Sequence, residues 1–182
     1  MARGFSGKGA HGEGWISIEE SLAPARTSAE AAYDYPDHVE ISMMKQKGRC
    51  QCGAVTFDVE AEPQLVGHCY CRDCQKSSGA GHVSYVFLAA DGVRIEGETH
   101  SFESNSNSGA TMTRHFCPTC GSRLFGRSSN LPEMIGITLV SFDDPDAFLP
   151  TLSIYTTRRC QWDDLPDATT TFDEGLPLTV ED

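Results

Sequence analysis

A mainly β fold, with antiparallel sheets meeting at metal-binding turns, is what this sequence predicts. Three observations carry that expectation. Apolar residues alternate over short runs bounded by Gly, Pro and Asn-Ser turns. Helical periodicity is nearly absent. Cysteines cluster at the spacings of zinc ligands: a C-x-C pair at Cys50 and Cys52, a C-x-C-x-x-C triplet at Cys69, Cys71 and Cys74, and a C-x-x-C pair at Cys117 and Cys120.

In chain order, residues 1–44 are rich in Gly, Ser, Ala and Glu. They show no sustained periodicity beyond a short candidate helix from Ser28 to Tyr33, ended by Pro36. They are expected to form an N-terminal extension, loosely ordered or docked on a neighbouring subunit, ahead of a single zinc-binding β domain over residues 45–182. In that domain Ala54 to Val59 alternates, with Val55, Phe57 and Val59 predicted to point inward. His82 to Ala89 reads as a strand. Val93–Gly97 and Thr99–Glu103 are expected to pair as a hairpin, followed by a polar loop from Ser104 to Gly109. Met134 to Val140 suits a buried strand and Thr151 to Thr156 another. A turn or two of helix after Cys71 is the one helical candidate here. There are no internal repeats.

Composition excludes several functions. A chain of 182 residues, 39% hydrophobic and 22% charged, has the make-up of a globular domain able to bury a core. No run nears the roughly 18 apolar residues of a membrane span, and no apolar stretch at the N-terminus resembles a signal peptide. The cytoplasm is therefore the expected compartment, where clustered thiols bind metal more often than they form disulfides. The net charge of −12 argues against a nucleic-acid partner. Residues 1–44 carry 3 basic and 7 acidic side chains, residues 45–127 carry 9 and 8, and residues 128–182 carry 2 and 11. Only the cysteine-bearing block is not acidic, so its charge does not exclude a small anionic ligand there.

Structural zinc takes four Cys or His ligands, whereas catalytic zinc takes three and keeps a position for water or substrate. Seven clustered thiols divide as four plus three. Cys52 and Cys120 are each followed directly by glycine, Gly53 and Gly121, which allows positive φ and lets amides fold back toward the sulfurs. Cys50, Cys52, Cys117 and Cys120 thus read as a closed site. Cys69, Cys71 and Cys74 are too close in sequence to supply a fourth ligand from the same turn. Zinc held with one position open can lower the pKa of an incoming thiol and polarise a carbonyl. Closure by His68, His115 or Cys160 is the alternative, as is a redox pair formed by Cys71 and Cys74.

Residues 48–166 resemble the glutathione-dependent formaldehyde-activating enzyme family, whose wider membership includes centromere protein V. The resemblance is carried by Gly48-Arg-Cys50-Gln-Cys52-Gly53-Ala-Val55-Thr-Phe57, by Cys69-Tyr-Cys71-Arg-Asp-Cys74-Gln-Lys76-Ser-Ser-Gly79-Ala, and by Arg114-His-Phe116-Cys117-Pro-Thr-Cys120-Gly121-Ser122-Arg-Leu124. Ser141-Phe-Asp143-Asp144-Pro145 and the segment from Ile154-Tyr155 to Trp162 complete it. The resemblance implies a β-tent of antiparallel sheets. It also implies two zinc ions per chain: a structural one on Cys50, Cys52, Cys117 and Cys120, and a catalytic one on Cys69, Cys71 and Cys74. The implied activity adds glutathione to formaldehyde, giving S-hydroxymethylglutathione, formally a carbon–sulfur lyase reaction. Tyr70 and Ser153 stand where the family commonly has His, and residues 1–44 have no counterpart in its core.

Other residues fit around that centre. Arg72 and Lys76 flank the triplet and are expected to meet a carboxylate of glutathione, with solvated surface charge as the alternative. Arg114 and His115 could line the same cleft, and His68 could support a thiolate. Trp162 and Phe116 read as core. Asp143-Asp144-Pro145 reads as a turn or cap, and the acidic run from Asp163 to Asp167 as a solvated tail. The competing reading is a non-catalytic zinc module that binds a protein partner, with oligomerisation through residues 1–44.

Overall fold

Short strands and tight turns build two sheets, as the alternating runs require. The computed structural model describes residues 45–106 and 109–176. The extension predicted over 1–44, with its candidate helix, lies outside the described residues. The elements are β1 (Gln46–Arg49), β2 (Thr56–Val59), β3 (Leu65–Cys69), α1 (Arg72–Ser78), β4 (Val83–Ala89), β5 (Val93–Glu96), β6 (His100–Asn105), β7 (Thr111–Phe116), β8 (Arg123–Ser128), β9 (Leu131–Thr138), β10 (Leu152–Ile154) and β11 (Thr170–Phe172). A small sheet has the order β1-β2-β5, and a large sheet the order β11-β10-β3-β4-β9-β8-β7-β6.

The two sheets share one core. Val55, Phe57 and Val59 from the small sheet and its approach meet Val66, Val86, Leu88, Leu124, Ile135 and Ile137 from the large one. The three inward positions predicted from alternation are all buried. Cys50 and Cys117 belong to this core, so the first thiol cluster is built where the two sheets converge. The fold is the mainly β, tent-like arrangement expected, without a closed barrel.

Period-two alternation gives β3 and β4 two chemically different faces. Val66, Val86 and Leu88 point into the main core. Cys69, Val83 and Tyr85 point the other way, into a second cluster with Cys74. The antiparallel register Cys69↔Val83 and Gly67↔Tyr85 sets these neighbours side by side. The helix predicted after Cys71 is α1, and it ends at Gly79.

Four sequence expectations need correction. Val93–Gly97 and Thr99–Glu103 do not form a hairpin: β5 pairs with β2 in the small sheet, and β6 with β7 in the large one. Val93 and Ile95 pack against the core beneath β2, and that burial outweighs the local turn. The fold is not wholly antiparallel, because β10 runs parallel to both β3 and β11. Ser104 lies in β6 and not in a loop. Trp162 is 72% exposed and Phe116 half-buried, and neither belongs to a core cluster.

Candidate metal centres

The first cluster is made by two matching turns. One follows β1 and carries Cys50 and Cys52, while the other joins β7 to β8 and carries Cys117 and Cys120. Gly53 and Gly121 adopt φ of 78° and 73°, as expected of the glycine after each second cysteine. Their amides close the turns, Gly53 N–H to Cys50 O at 3.1 Å and Gly121 N–H to Cys117 O at 2.9 Å. The Val55 amide donates to Cys50 Sγ at 3.3 Å, and the Gln51 amide to Ser122 Oγ at 3.1 Å, which ties one turn to the other. All four sulfurs lie within 4.8 Å of one another. The hydroxyl and amide of Ser122 draw the Cys120 thiol down to about 5.

The second cluster joins the end of β3 to α1. Cys71 is the N-cap of α1, its sulfur accepting the Cys74 amide at 3.4 Å. Cys69, Cys71 and Cys74 also gather within 4.8 Å. Hydrogen bonds from Cys69 and Cys74 pull the Cys71 thiol down to about 2 against the cost of burial, so it is the sulfur best held as thiolate. The same contact with Cys71, together with Cys74 and burial, pushes Cys69 well up.

Both donor sets suit zinc. Tetrahedral zinc with Zn–S bonds of about 2.3 Å spaces its sulfurs about 3.8 Å apart. Cys52 Sγ stands 3.5 Å from Cys50 Sγ and 3.8 Å from Cys117 Sγ. All eight cysteines are free thiols, and two clusters of soft sulfur donors match a thiolate-loving ion.

The three residues considered as closers of the triplet are all engaged elsewhere. His68 turns to the opposite face of β3, its Nδ1 2.9 Å from Ser84 Oγ, and burial, with His82 nearby, pushes it down to about 4. His115 stacks on Phe125 at 4.3 Å and contacts Thr99 Oγ1 at 3.3 Å. Cys160 sits beside α1, 3.7 Å from Gln75 Oε1. Among the described residues the second group is three sulfurs.

The positions that depart from the family also face away from these sulfurs. Tyr70 is fully buried and donates to the Asp164 carbonyl at 3.2 Å, while Ser153, also fully buried, bonds Thr169 Oγ1 at 3.0 Å. Both fill packing positions.

Arg72 is exposed, donating to Gln75 Oε1 at 2.6 Å, and Lys76 is exposed one turn further on. Arg114 is 8% exposed and ties β7 to β6 through Ser104 Oγ at 2.7 Å and to α1 through Asp73 Oδ2 at 3.4 Å. Asp163 is not part of a solvated tail, since its carboxylate lies 2.8 Å from His82 Nδ1. Asp144 precedes a 3-10 turn over Pro145–Ala147, in keeping with the turn reading.

Three residues near the second cluster escaped sequence reasoning. Tyr85 holds its hydroxyl 3.8 Å from Cys74 Sγ. Arg123 lies over the Tyr85 ring at 5.2 Å and donates to the hydroxyls of Tyr85 and Ser77. Tyr155 packs against the same cluster with φ 58° and ψ 39°, the one non-glycine residue in the left-handed region among those described. Arg123 and Tyr155 lie within segments that carry the family resemblance but received no role there, and Tyr85 had no motif signal. A cleft of about 880 Å³ opens beside the first cluster, lined by Cys50 and Cys120 together with Arg49, Ser77, His82 and Arg123.

A two-sheet β fold carrying one four-thiol and one three-thiol cluster defines a class of cysteine-rich β domains able to hold metal ions. The profile of the glutathione-dependent formaldehyde-activating enzyme family matches residues 45–158, more than half of the chain. The chain belongs to that family. A curated Halomonas elongata protein named for the same activity is 34% identical over 97 residues, which is 50% of this chain and 62% of that protein. A crystal structure of a Rhodobacter sphaeroides protein aligns with a TM-score of 0.44 at 20% identity, covering 53% of this chain and 87% of the other. No helix among the described residues is long and apolar enough to cross a membrane.

Proposed function

We propose that this chain is a zinc-dependent enzyme of the carbon–sulfur lyase type, adding a thiol, glutathione, to a small aldehyde such as formaldehyde. The observation that carries the reading is the second cluster, where three sulfurs converge while His68, His115 and Cys160 are held elsewhere. Cys50, Cys52, Cys117 and Cys120 would hold the structural ion, and Cys69, Cys71 and Cys74 the catalytic one. Zinc there would supply positive charge that favours thiolate over thiol and draws electrons from a carbonyl oxygen.

The chain's own residues do the remaining work. Cys71 fixes the start of α1 through its own sulfur, so the ligand loop and the helix are one rigid unit. The Tyr85 hydroxyl supports Cys74 from below. Arg72 and Lys76, four residues apart on the exposed side of α1, add positive charge where an anionic thiol would approach. In the addition, the thiol S–H bond breaks, a carbon–sulfur bond forms, and the carbonyl oxygen takes up the proton. Nothing is oxidised or reduced.

Residues 45–182 would be the catalytic domain, working in the cytoplasm, with residues 1–44 as an extension that can contact a neighbouring subunit. The start of the family match at residue 45 supports that division. X-ray absorption at the zinc edge, with and without glutathione, tests the reading alongside an assay for S-hydroxymethylglutathione. A sulfur count that rises on adding glutathione is expected. Two ions with four fixed ligands each, unchanged by the thiol and without activity, would leave a metal-stapled scaffold.

A further inference from the structure

Arg123, at the start of β8, is held by hydroxyl groups. Its hydrogen bonds go to the hydroxyls of Ser77 and Tyr85, and its Nε–H is buried without a partner. Among the described residues no acidic group forms an ion pair with it. The other charged groups in the cleft wall do pair, Arg49 Nε lying 3.7 Å from Asp143 Oδ1. Arg123 is half-buried, and a cation partly withdrawn from water ordinarily finds a counter-charge, which guanidinium matches in a carboxylate through two parallel hydrogen bonds. A chain of net charge −12 repels anionic ligands unless a local cation receives them.

Position gives this cation a role. Arg123 borders the cleft on one side and grips Tyr85 on the other, and the Tyr85 hydroxyl is 3.8 Å from Cys74 Sγ. The Tyr85 hydroxyl thus links the guanidinium to Cys74, one of the three sulfurs. An extended peptide advances about 3.5 Å per residue, so a carboxylate one or two residues from a cysteine sulfur spans that gap. The Ser77 hydroxyl can release Arg123 without loss, because it also donates to the carbonyls of Asp73 at 2.6 Å and Cys74 at 3.1 Å.

We propose that Arg123 anchors a carboxylate of the thiol substrate, so that this site selects peptide-like thiols bearing an acid group close to the sulfur. The inference rests on the thiol-addition reading above and assigns its specificity to a residue of β8. Arg72 and Lys76, on the solvent side of α1, then assist at most the second acid group.

S-methylglutathione tests the anchor apart from the chemistry, since it keeps both carboxylates but has no thiol to react. Its binding to the zinc-loaded protein is measured by calorimetry beside its dimethyl ester, for wild type, Arg123→Gln and Arg123→Lys. The acid form should bind wild type at least tenfold more tightly than the ester. R123Q should lose that advantage, and R123K should fall between, because lysine keeps the charge but not the paired donors. Equal binding of acid and ester to wild type would overturn the proposal, as would undiminished binding to R123Q. Should R123Q fail to fold, R123K and the wild-type ester comparison carry the decision. Selective binding of the acid form by an enzyme that forms no hydroxymethyl adduct would overturn the proposed reaction and leave the anchor standing.

Discussion

The two thiol clusters gather the same sulfur donors from opposite kinds of chain segment. The first takes two sulfurs from each of two distant turns, and it buries Cys50 and Cys117 in the core shared by both sheets. The second takes three sulfurs from one short stretch, on the outer face of β3 beneath a seven-residue helix. Removing the first disconnects β1 from the β7–β8 turn. Removing the second frees one helix and leaves both sheets paired. On the proposed reading, what a thiol cluster joins decides whether it serves stability or chemistry.

The largest break is expected at the first cluster. Cys117→Ser should leave the chain largely unfolded by circular dichroism, because a structural zinc contributes about 10–16 kcal/mol of apparent folding free energy, as much as a typical domain's whole stability. Cys71→Ser should abolish thiol-dependent turnover with only a small fall in melting temperature. Equal damage to the fold from both substitutions would erase the contrast.

Core packing lies between these extremes. Leu124 is fully buried, four residues past Cys120, so Leu124→Ala should cost about 3 kcal/mol in denaturant unfolding and leave the zinc content at two per chain. Graded chelation sharpens the comparison further. The second cluster, with three sulfurs against four, should release its metal first with loss of activity alone, and the melting curve should collapse only when the first site empties. The smallest effect is expected at Gly121→Ala. Nothing lies within 4 Å of the added methyl, so the cost is the left-handed backbone alone, about 1 kcal/mol, read as a slight drop in melting temperature.

The metal-binding part of this protein was legible early because its signals are local. Cysteine spacing and the following glycine describe single turns, and Gly53 and Gly121 take the predicted conformation. The alternation of Val55, Phe57 and Val59 is equally local and was equally readable. Strand partnership was not. Val93 to Glu103 looks like a hairpin in isolation, yet its two strands belong to different sheets, because β5 finds its partner in the distant β2 while β6 pairs onward with β7. Asp163 looked like solvated charge until His82, far earlier in the chain, was found beside it.

The amino-acid sequence alone determined the family, the mainly β class and the grouping of seven thiols as four and three, since spacing and backbone freedom act within a few residues. Only the tertiary structure decided that His68 turns away from the sulfurs, that Tyr85 reaches Cys74, and that Arg123 borders the cleft with its Nε–H unpartnered. Those facts depend on strand register and on which face of β4 and β8 each side chain occupies. A register is chosen by burial summed over the whole sheet, and no single stretch of chain carries that sum.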